Sequence, residues 1–449
     1  MPNFIKKSEM PVSAERLFAW HENPCALERL TPPWNRVKVI RKDAGLKPES
    51  EVHLKTYLGP IPVSWVARHI EYTAGKEFCD IQVSGPFAKW VHHHRMITEN
   101  EDQSFLEDEI EYQIHGCLGN GIAARSIEEL FRYRHTLLRH DLEVQNSFPA
   151  RPLTVVITGA SGLVGSELSA FLRSAGHRVL SLVRRDPKEN EILWDINSGK
   201  IESEKLEGVD GVIHLAGENI GSGRWTNEKK KRIEDSRVCG TSLLVKALND
   251  LKLPPKVLIS ASAVGYYGMK GNAVVNEAAG SGDDFLAQVC EKWESEAKGF
   301  KKGRLVIPRF GVVLTPKGGA LSKMLLPFKM GLGGKMGSGK QLMSWISIDD
   351  LIYQLYRLLL TPSIEGPVNL CAPQLLSNLE FSKTLASVLH RPCLFPIPAF
   401  MAKLLFGEMA EATMLSSIAA KPTKLEEARL PFYYPDLSSA LKHLLGKPQ

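Results

Sequence analysis

The run Val155-Val156-Ile157-Thr158-Gly159-Ala160-Ser161-Gly162-Leu163-Val164-Gly165 is an apolar β-type stretch that breaks into three glycines and continues from Ser166 to Ala175 with neither Pro nor Gly. It reads as strand, turn and helix. Gly159 permits the tight turn, Gly162 lets backbone approach a pyrophosphate, and Gly165 lets the helix pack close to the strand. The helix N-terminus adds free N–H groups and the positive end of its dipole. The pattern predicts a dinucleotide-binding turn in which Gly159, Ser161, Gly162, Leu163, Val164 and Gly165 contact the cofactor.

The context supports that reading. Gly176-His177 ends the helix, and Arg178 to Val183 is a second apolar strand, completing a β-α-β unit of about the expected 30 residues. Where a NAD-specific fold places an acidic residue for the ribose 2′-hydroxyl, this chain has Arg184-Arg185, with Asp186 only afterwards. Two guanidiniums suit a 2′-phosphate through charge-assisted bonds, so the expected cofactor is NADP. A solvated basic loop is the plainer alternative.

At 449 residues and 43% hydrophobic content, the chain is long enough for two or more packed domains. A net charge of +6, with no basic run carrying interleaved aromatics, gives nucleic-acid binding no support. Seven scattered cysteines with no C-x-x-C spacing suggest reduced thiols. Without a signal-like N-terminus or a run of about 18 apolar residues, the expectation is a cytoplasmic protein with no membrane span.

Up to about Leu142 the chain has a different character, holding nine of its thirteen histidines. A strand (Phe4 to Glu9) is followed by a helix capped by Ser13 (Ala14 to His21) and a second short helix opened by Asn23-Pro24. Six strands then alternate in polarity: Val37 to Lys42, Glu51 to Leu58, Ile61 to Tyr72, Glu77 to Ser84, Lys89 to Thr98 and Phe105 to Ile114. A long helix, Ile122 to Val144, closes the segment. This order, with Ser84-Gly85-Pro86-Phe87 leading into Trp90-Val91-His92-His93-His94, resembles the START or polyketide-cyclase-like helix-grip superfamily. The resemblance implies an apolar ligand held between sheet and long helix. His92 and His94 share one strand face and His93 the other, and with no Cys or carboxylate at ligand spacing nearby, no metal is expected.

Gln145 to Pro152 reads as a linker. Beyond it, strands Gly211 to Leu215, Lys256 to Ser260 and Leu305 to Pro308 alternate with helices Asn227 to Ala247 and Asp284 to Phe300, which predicts an α/β doubly wound parallel Rossmann-like sheet. The expected organisation is a ligand-binding α+β domain (1–144), a linker (145–152), a dinucleotide-binding domain with a glycine-rich loop (153–370) and a closing segment (371–449).

The glycine turn, Val212-Ile213-His214-Leu215-Ala216-Gly217-Glu218-Asn219 and Val257-Leu258-Ile259-Ser260-Ala261-Ser262 together resemble the extended short-chain dehydrogenase/reductases, in their atypical epimerase-like branch. The resemblance implies cofactor contacts at His214, Leu215, Ala216, Gly217, Glu218, Ser260 and Arg309, and a substrate-oxygen role for Ser262. The usual Tyr and Lys, at i and i+4 on one helix, are missing: setting Trp293-Glu294 on the family's Ala-Glu puts Leu286 and Cys290 in their places. A narrower epimerase-family group shares this departure, together with the stretch Arg309-Phe310-Gly311-Val312-Val313-Leu314, the glycines from Gly331 to Gly339, and the closing Phe432-Tyr433-Tyr434-Pro435-Asp436-Leu437. In that loop Gln341 and Trp345 offer an amide and an aromatic face to a polar ring such as a sugar or nucleotide.

Two functions follow. One is an NADP-dependent oxidoreductase or epimerase-like enzyme on a small polar substrate, with Tyr266 or Tyr267, just after Ser262, supplying the proton. The other is an NADP-sensing binding protein; some members of the group carry a cell-division-inhibitor label.

Overall fold

The computed structural model describes residues 2–115, 120–148 and 151–448. Cys117 lies outside them. The chain divides into two compact units, Met1–Pro149 with Arg173–Ala175 and His443–Gln449, and Ala150–Leu172 with Gly176–Lys442.

In the first unit, alternating polarity builds β1 (Asn3–Met10), then α1 (Ala14–Glu22) and α2 (Ala26–Arg29), then β2 (Lys38–Lys42), β3 (Glu51–Leu58), β4 (Ile61–Thr73), β5 (Glu77–Ser84), β6 (Phe87–Thr98), β7 (Ser104–Ile114) and α3 (Asn120–Ser147). The strands form one antiparallel sheet in the order β1-β7-β6-β5-β4-β3-β2. Strict alternation buries every second residue of β7, from Ser104 through Tyr112. Met10, Leu17, Phe18, Phe78, Leu106 and Leu138 form part of one buried apolar cluster.

The sequence-expected helix Ile122 to Val144 is longer than its periodicity suggested. Its last turn takes Gln145 and Asn146 out of the expected linker, because Gln145 is buried and the Asn146 amide donates to Pro11 O. The C-terminal residues from His443 also group with this unit rather than with the closing segment. Tyr133 stacks on His443 with ring centroids 4.8 Å apart, and Arg132 donates to Gly446 O at 2.9 Å.

The second unit carries β8 (Thr154–Thr158), α4 (Leu163–Ser174), β9 (Arg178–Val183), β10 (Glu191–Asp195), β11 (Lys200–Ile201), β12 (Gly211–His214), α5 (Asn227–Asp250), β13 (Val257–Ser260), β14 (Ser262–Ala263), β15 (Val274–Val275), α6 (Phe285–Ala297) and β16 (Arg304–Phe310). The main sheet runs β11-β10-β9-β8-β12-β13-β16, with β14 and the strand Gly366–Leu370 also paired to β16. Every pairing is parallel except β10 with β11, so the sheet is mixed at one edge. The sequence reading had no strand at Glu191–Asp195, where charged residues at both ends break the apolar run. Strand order reverses between β8 and β12, and the crevice at the carboxyl ends of those strands is the switch point where open α/β sheets bind ligands.

The buried bidentate pair of Arg29 with Asp141, at 2.8 and 2.7 Å, joins α2 to α3. With both side chains at most 1% exposed, removing one partner strands the other charge. Asp141→Ala is expected to lower the stability of the first unit by about 3 to 5 kcal/mol. Chemical denaturation followed by tryptophan fluorescence checks this, and an unchanged midpoint would refute it.

Candidate functional site

At the end of β8 the chain turns through Gly159 at φ +69°, a left-handed conformation that favours glycine. Gly162 N–H bonds back to Gly159 O at 2.9 Å, and α4 begins at Leu163 with its first-turn N–H groups outside the helical ladder. A Cβ on Gly165 would fall inside contact distance of Gly159 O and 2.8 Å from Ala160 Cα, so only glycine fits. A Cβ on Gly159 would meet Ala216 N at 3.0 Å, which brings the two crevice loops into direct contact.

Thr158 ties those loops together. Its hydroxyl oxygen accepts from Leu215 N and Ala216 N, each at 3.1 Å, and lies 2.6 Å from His214 Nδ1. His214 Nε2 meets Thr241 Oγ1 at 3.0 Å, and that hydroxyl donates to Arg237 O at 2.6 Å. The chain of donors makes Nε2 the protonated nitrogen of His214. Burial pulls its pKa down to about 3, so the ring is neutral. Both ring nitrogens are used, so the His214 side chain holds the loop in place. Arg237 was missed from sequence: its guanidinium packs against Gly217, lies 5.1 Å from the Trp293 ring centroid and donates to Glu218 O at 3.1 Å. Glu218 itself pairs with the buried Lys229 at 2.5 Å.

At the end of β9 the two arginines differ. Arg185 makes a bidentate pair with Glu191 at 2.7 and 2.5 Å, whereas Arg184 is exposed, has no side-chain partner among the described residues, and acts electrostatically on Glu218.

A second network lies beyond β13. Arg309 and Glu294 form a buried bidentate pair, with both contacts at 2.8 Å. Ser262 donates to Glu294 Oε1 at 2.8 Å, and Tyr267 donates to Asn369 Oδ1 at 2.7 Å while accepting from Arg309 at 3.0 Å. Burial pushes the Tyr267 hydroxyl up to about 12. Ser262, Tyr267 and Arg309 are therefore brought together, but each is held by protein partners at 2% exposure or less. Tyr266 is different: half-buried, with the Arg309 guanidinium 3.5 Å from its ring centroid and no hydrogen bond from its hydroxyl among the described residues. Cys290 is buried beside Ser262, and burial raises its thiol to about 11, so it stays a neutral thiol and brings none of the positive charge a lysine would place there. Ser260 is fully buried on β13 with an unpartnered hydroxyl.

The glycine-rich loop corrects another expectation. Trp345 is fully buried, and Gln341 donates to Met336 O and Met414 O at 3.0 and 3.2 Å. A Cβ on Gly333 would sit 2.5 Å from the Phe328 ring, and one on Gly334 would clash with Phe395 O. These glycines allow close packing within the chain.

The histidine triplet needs a correction as well. Carboxylates do lie at ligand distance, because strand register pairs His92 with Asp80 and His94 with Asp108 across β5, β6 and β7. Burial opposes charge on His94, yet Asp108 and Asp80 push its pKa up to about 9.

Residues 155–371 match the NAD dependent epimerase/dehydratase family, and residues 397–444 match a domain of unknown function, DUF1731. An epimerase family protein of Mycobacterium bovis is 40% identical over 297 residues, covering 66% of this chain and 98% of that protein. The chain belongs to the epimerase family. A nucleoside-diphosphate sugar epimerase from Corynebacterium glutamicum has a solved structure that matches 99% of this chain and 90% of its own, with TM-score 0.82 and 32% identity. The human epimerase family protein SDR39U1, solved with NADPH, matches 65% of this chain and 99% of its own, with TM-score 0.61 and 34% identity. The first likeness takes in nearly the whole chain, N-terminal sheet included, and the second about two thirds of it. Among the described residues no helix is long and apolar enough to cross a membrane.

His214 gives this family member a measurable acid response. Its folded pKa lies below the ordinary 6.5, so the unfolded chain takes up a proton that the folded chain refuses. Its contribution is complete above about pH 6.5 and is lost as pH falls toward 3. The loss of stability between about pH 7 and pH 5 should be smaller in His214→Asn than in wild type. Urea midpoints at the two pH values test it, and equal losses would refute it.

Proposed function

We propose that the second unit binds NADP(H) and exchanges hydride with a small polar substrate, a sugar or nucleotide derivative, in the cytoplasm. The single observation that carries this reading is the tight turn at the switch point between β8 and β12, where Gly159 at φ +69° leads straight into the free N–H groups at the N-terminus of α4. The human relative solved with NADPH supports the cofactor, and the sugar epimerase relative supports the substrate class. Bound NADPH would supply the hydride. Backbone from Ser161 to Val164 would hold the phosphates, the Leu215-Ala216-Gly217 turn would pass under the cofactor, and Arg184 would meet the 2′-phosphate.

In this reading Tyr266 moves the proton, since Ser262 and Tyr267 already donate to Glu294 and Asn369. The buried Arg309–Glu294 pair then works as a positioning element, placing a cation against the Tyr266 ring. The first unit is a helix-grip domain of START or polyketide-cyclase type that takes a largely apolar ligand; the chain after α3 leads into the dinucleotide-binding domain (153–370) and a closing segment that starts at 371 and ends before His443. The second function, a cofactor-sensing binding protein, draws on the Leu286 and Cys290 that stand where the proton relay would be.

Calorimetry with NADPH and NADH tests the cofactor. Arg184→Ala should lose roughly 1 to 3 kcal/mol of NADPH affinity with little change for NADH, while Arg185→Ala should lose less. Equal affinity of wild type for the two cofactors would overturn the assignment.

Turnover separates the two functions. If the protein is an enzyme, Tyr266→Phe should slow it by roughly 10² to 10⁴, whereas Tyr267→Phe should chiefly lower stability. Tight NADPH binding with no hydride transfer to a panel of carbonyl compounds and nucleotide sugars would favour the binding protein.

A further inference from the structure

The inner face of the first unit's sheet carries a polar cluster where its neighbours are apolar. Asp80 from β5, His92 and His94 from β6, and Asp108 from β7 share that face, and His135 reaches them from α3. The cluster sits beside Phe78, which stacks on His94, and Phe131, which meets His92 edge-on. Such a group is expensive to bury unless each polar atom is matched.

The matching is uneven in an informative way. Asp108 accepts from His92 Nε2 at 3.0 Å through Oδ1 and pairs with His135 Nε2 at 2.7 Å through Oδ2, whereas His94 Nδ1 lies 2.6 Å from Oδ1 without hydrogen-bond geometry. The remaining nitrogens, His92 Nδ1 and His94 Nε2, converge on Asp80 Oδ2 and stop 3.5 Å from it. That is long for a hydrogen bond. It equals, to about 0.1 Å, the ~3.4 Å separation of two ligand atoms around a tetrahedral ion bonded at ~2.1 Å. Direct pairing would draw the three atoms closer. The Arg134 guanidinium acts electrostatically on both carboxylates, while burial pulls the neighbouring His21 ring down to about 4 and keeps it neutral.

We infer that Asp80 Oδ2, His92 Nδ1 and His94 Nε2 form a binding site for one divalent first-row transition-metal ion, with Asp108 as the outer carboxylate that fixes the His92 imidazole. Two histidines and one carboxylate leave coordination positions open, as in catalytic zinc and non-haem iron sites. Asp108 plays the part of the carboxylate behind a metal-bound histidine for His92, whose Nε2 it engages so that Nδ1 is free, and an ion arriving at His94 Nε2 displaces the proton that the two carboxylates favour on that ring. The buried Asp108 and the half-buried Asp80 offset the ion's charge. This inference is independent of the dinucleotide site.

The test uses the full-length protein stripped with chelator. Titration with Co²⁺ should give one ion per chain, with visible ligand-field absorption that Zn²⁺ displaces. His94→Gln and Asp80→Asn should abolish that band, and Asp108→Asn should weaken binding roughly 10- to 100-fold. Crystals of wild type grown with Zn²⁺ need no variant and should show an anomalous peak among the three named atoms. Absence of the cobalt band, a band that survives both ligand substitutions, or zinc found only elsewhere would each overturn the inference.

Discussion

The buried ion pair between Arg309 and Glu294 governs what the second unit can do. Arg309 leaves β16 and Glu294 leaves α6, and neither is more than 2% exposed. Removing one partner of such a pair typically costs about 3 to 5 kcal/mol, because the other charge stays behind without water. The pair therefore has to be kept complete, and it recruits its surroundings: Ser262 donates to the carboxylate, Tyr267 accepts from the guanidinium, and Asn369 holds Tyr267. A serine that short-chain dehydrogenases would turn toward substrate is here turned toward protein. The chemistry that remains available is set by the ring on the other side of Arg309, Tyr266.

Much of the architecture was legible because its signals are local. A strand, three glycines and a helix announce themselves within a few residues, and period-2 alternation marked the seven strands of the first unit to within two residues at their ends. The site was legible only where function requires a particular backbone. Gly159 and Gly165 are such places, one by its positive φ and the other by lack of space. Nothing local shows that Thr158 braces the loop after β12, or that Thr241 receives His214. Those contacts depend on which strands become neighbours.

Register explains the largest misreading. His92 and His94 were read with no carboxylate at ligand spacing, since the search ran along the chain. The antiparallel ladder instead sets Asp80 opposite one and Asp108 opposite the other. A glycine-rich segment misleads for a related reason. Gly333 and Gly334 resemble a loop shaped for a ligand, yet the surfaces they accommodate are Phe328 and Phe395 of the same chain. Glycine states that something comes close and is silent on what.

The two arginines after β9 show how the structure refines a composition argument. From sequence they are equivalent, but a bidentate bond needs its partner's geometry as well as its own charge. Glu191, on the strand the sequence reading missed, takes both donors of Arg185. An anion arriving at Arg185 must first displace a carboxylate already in place, whereas at Arg184 it displaces only water. Any selectivity for a phosphorylated ribose therefore rests on Arg184, and Glu191 serves to keep its neighbour occupied.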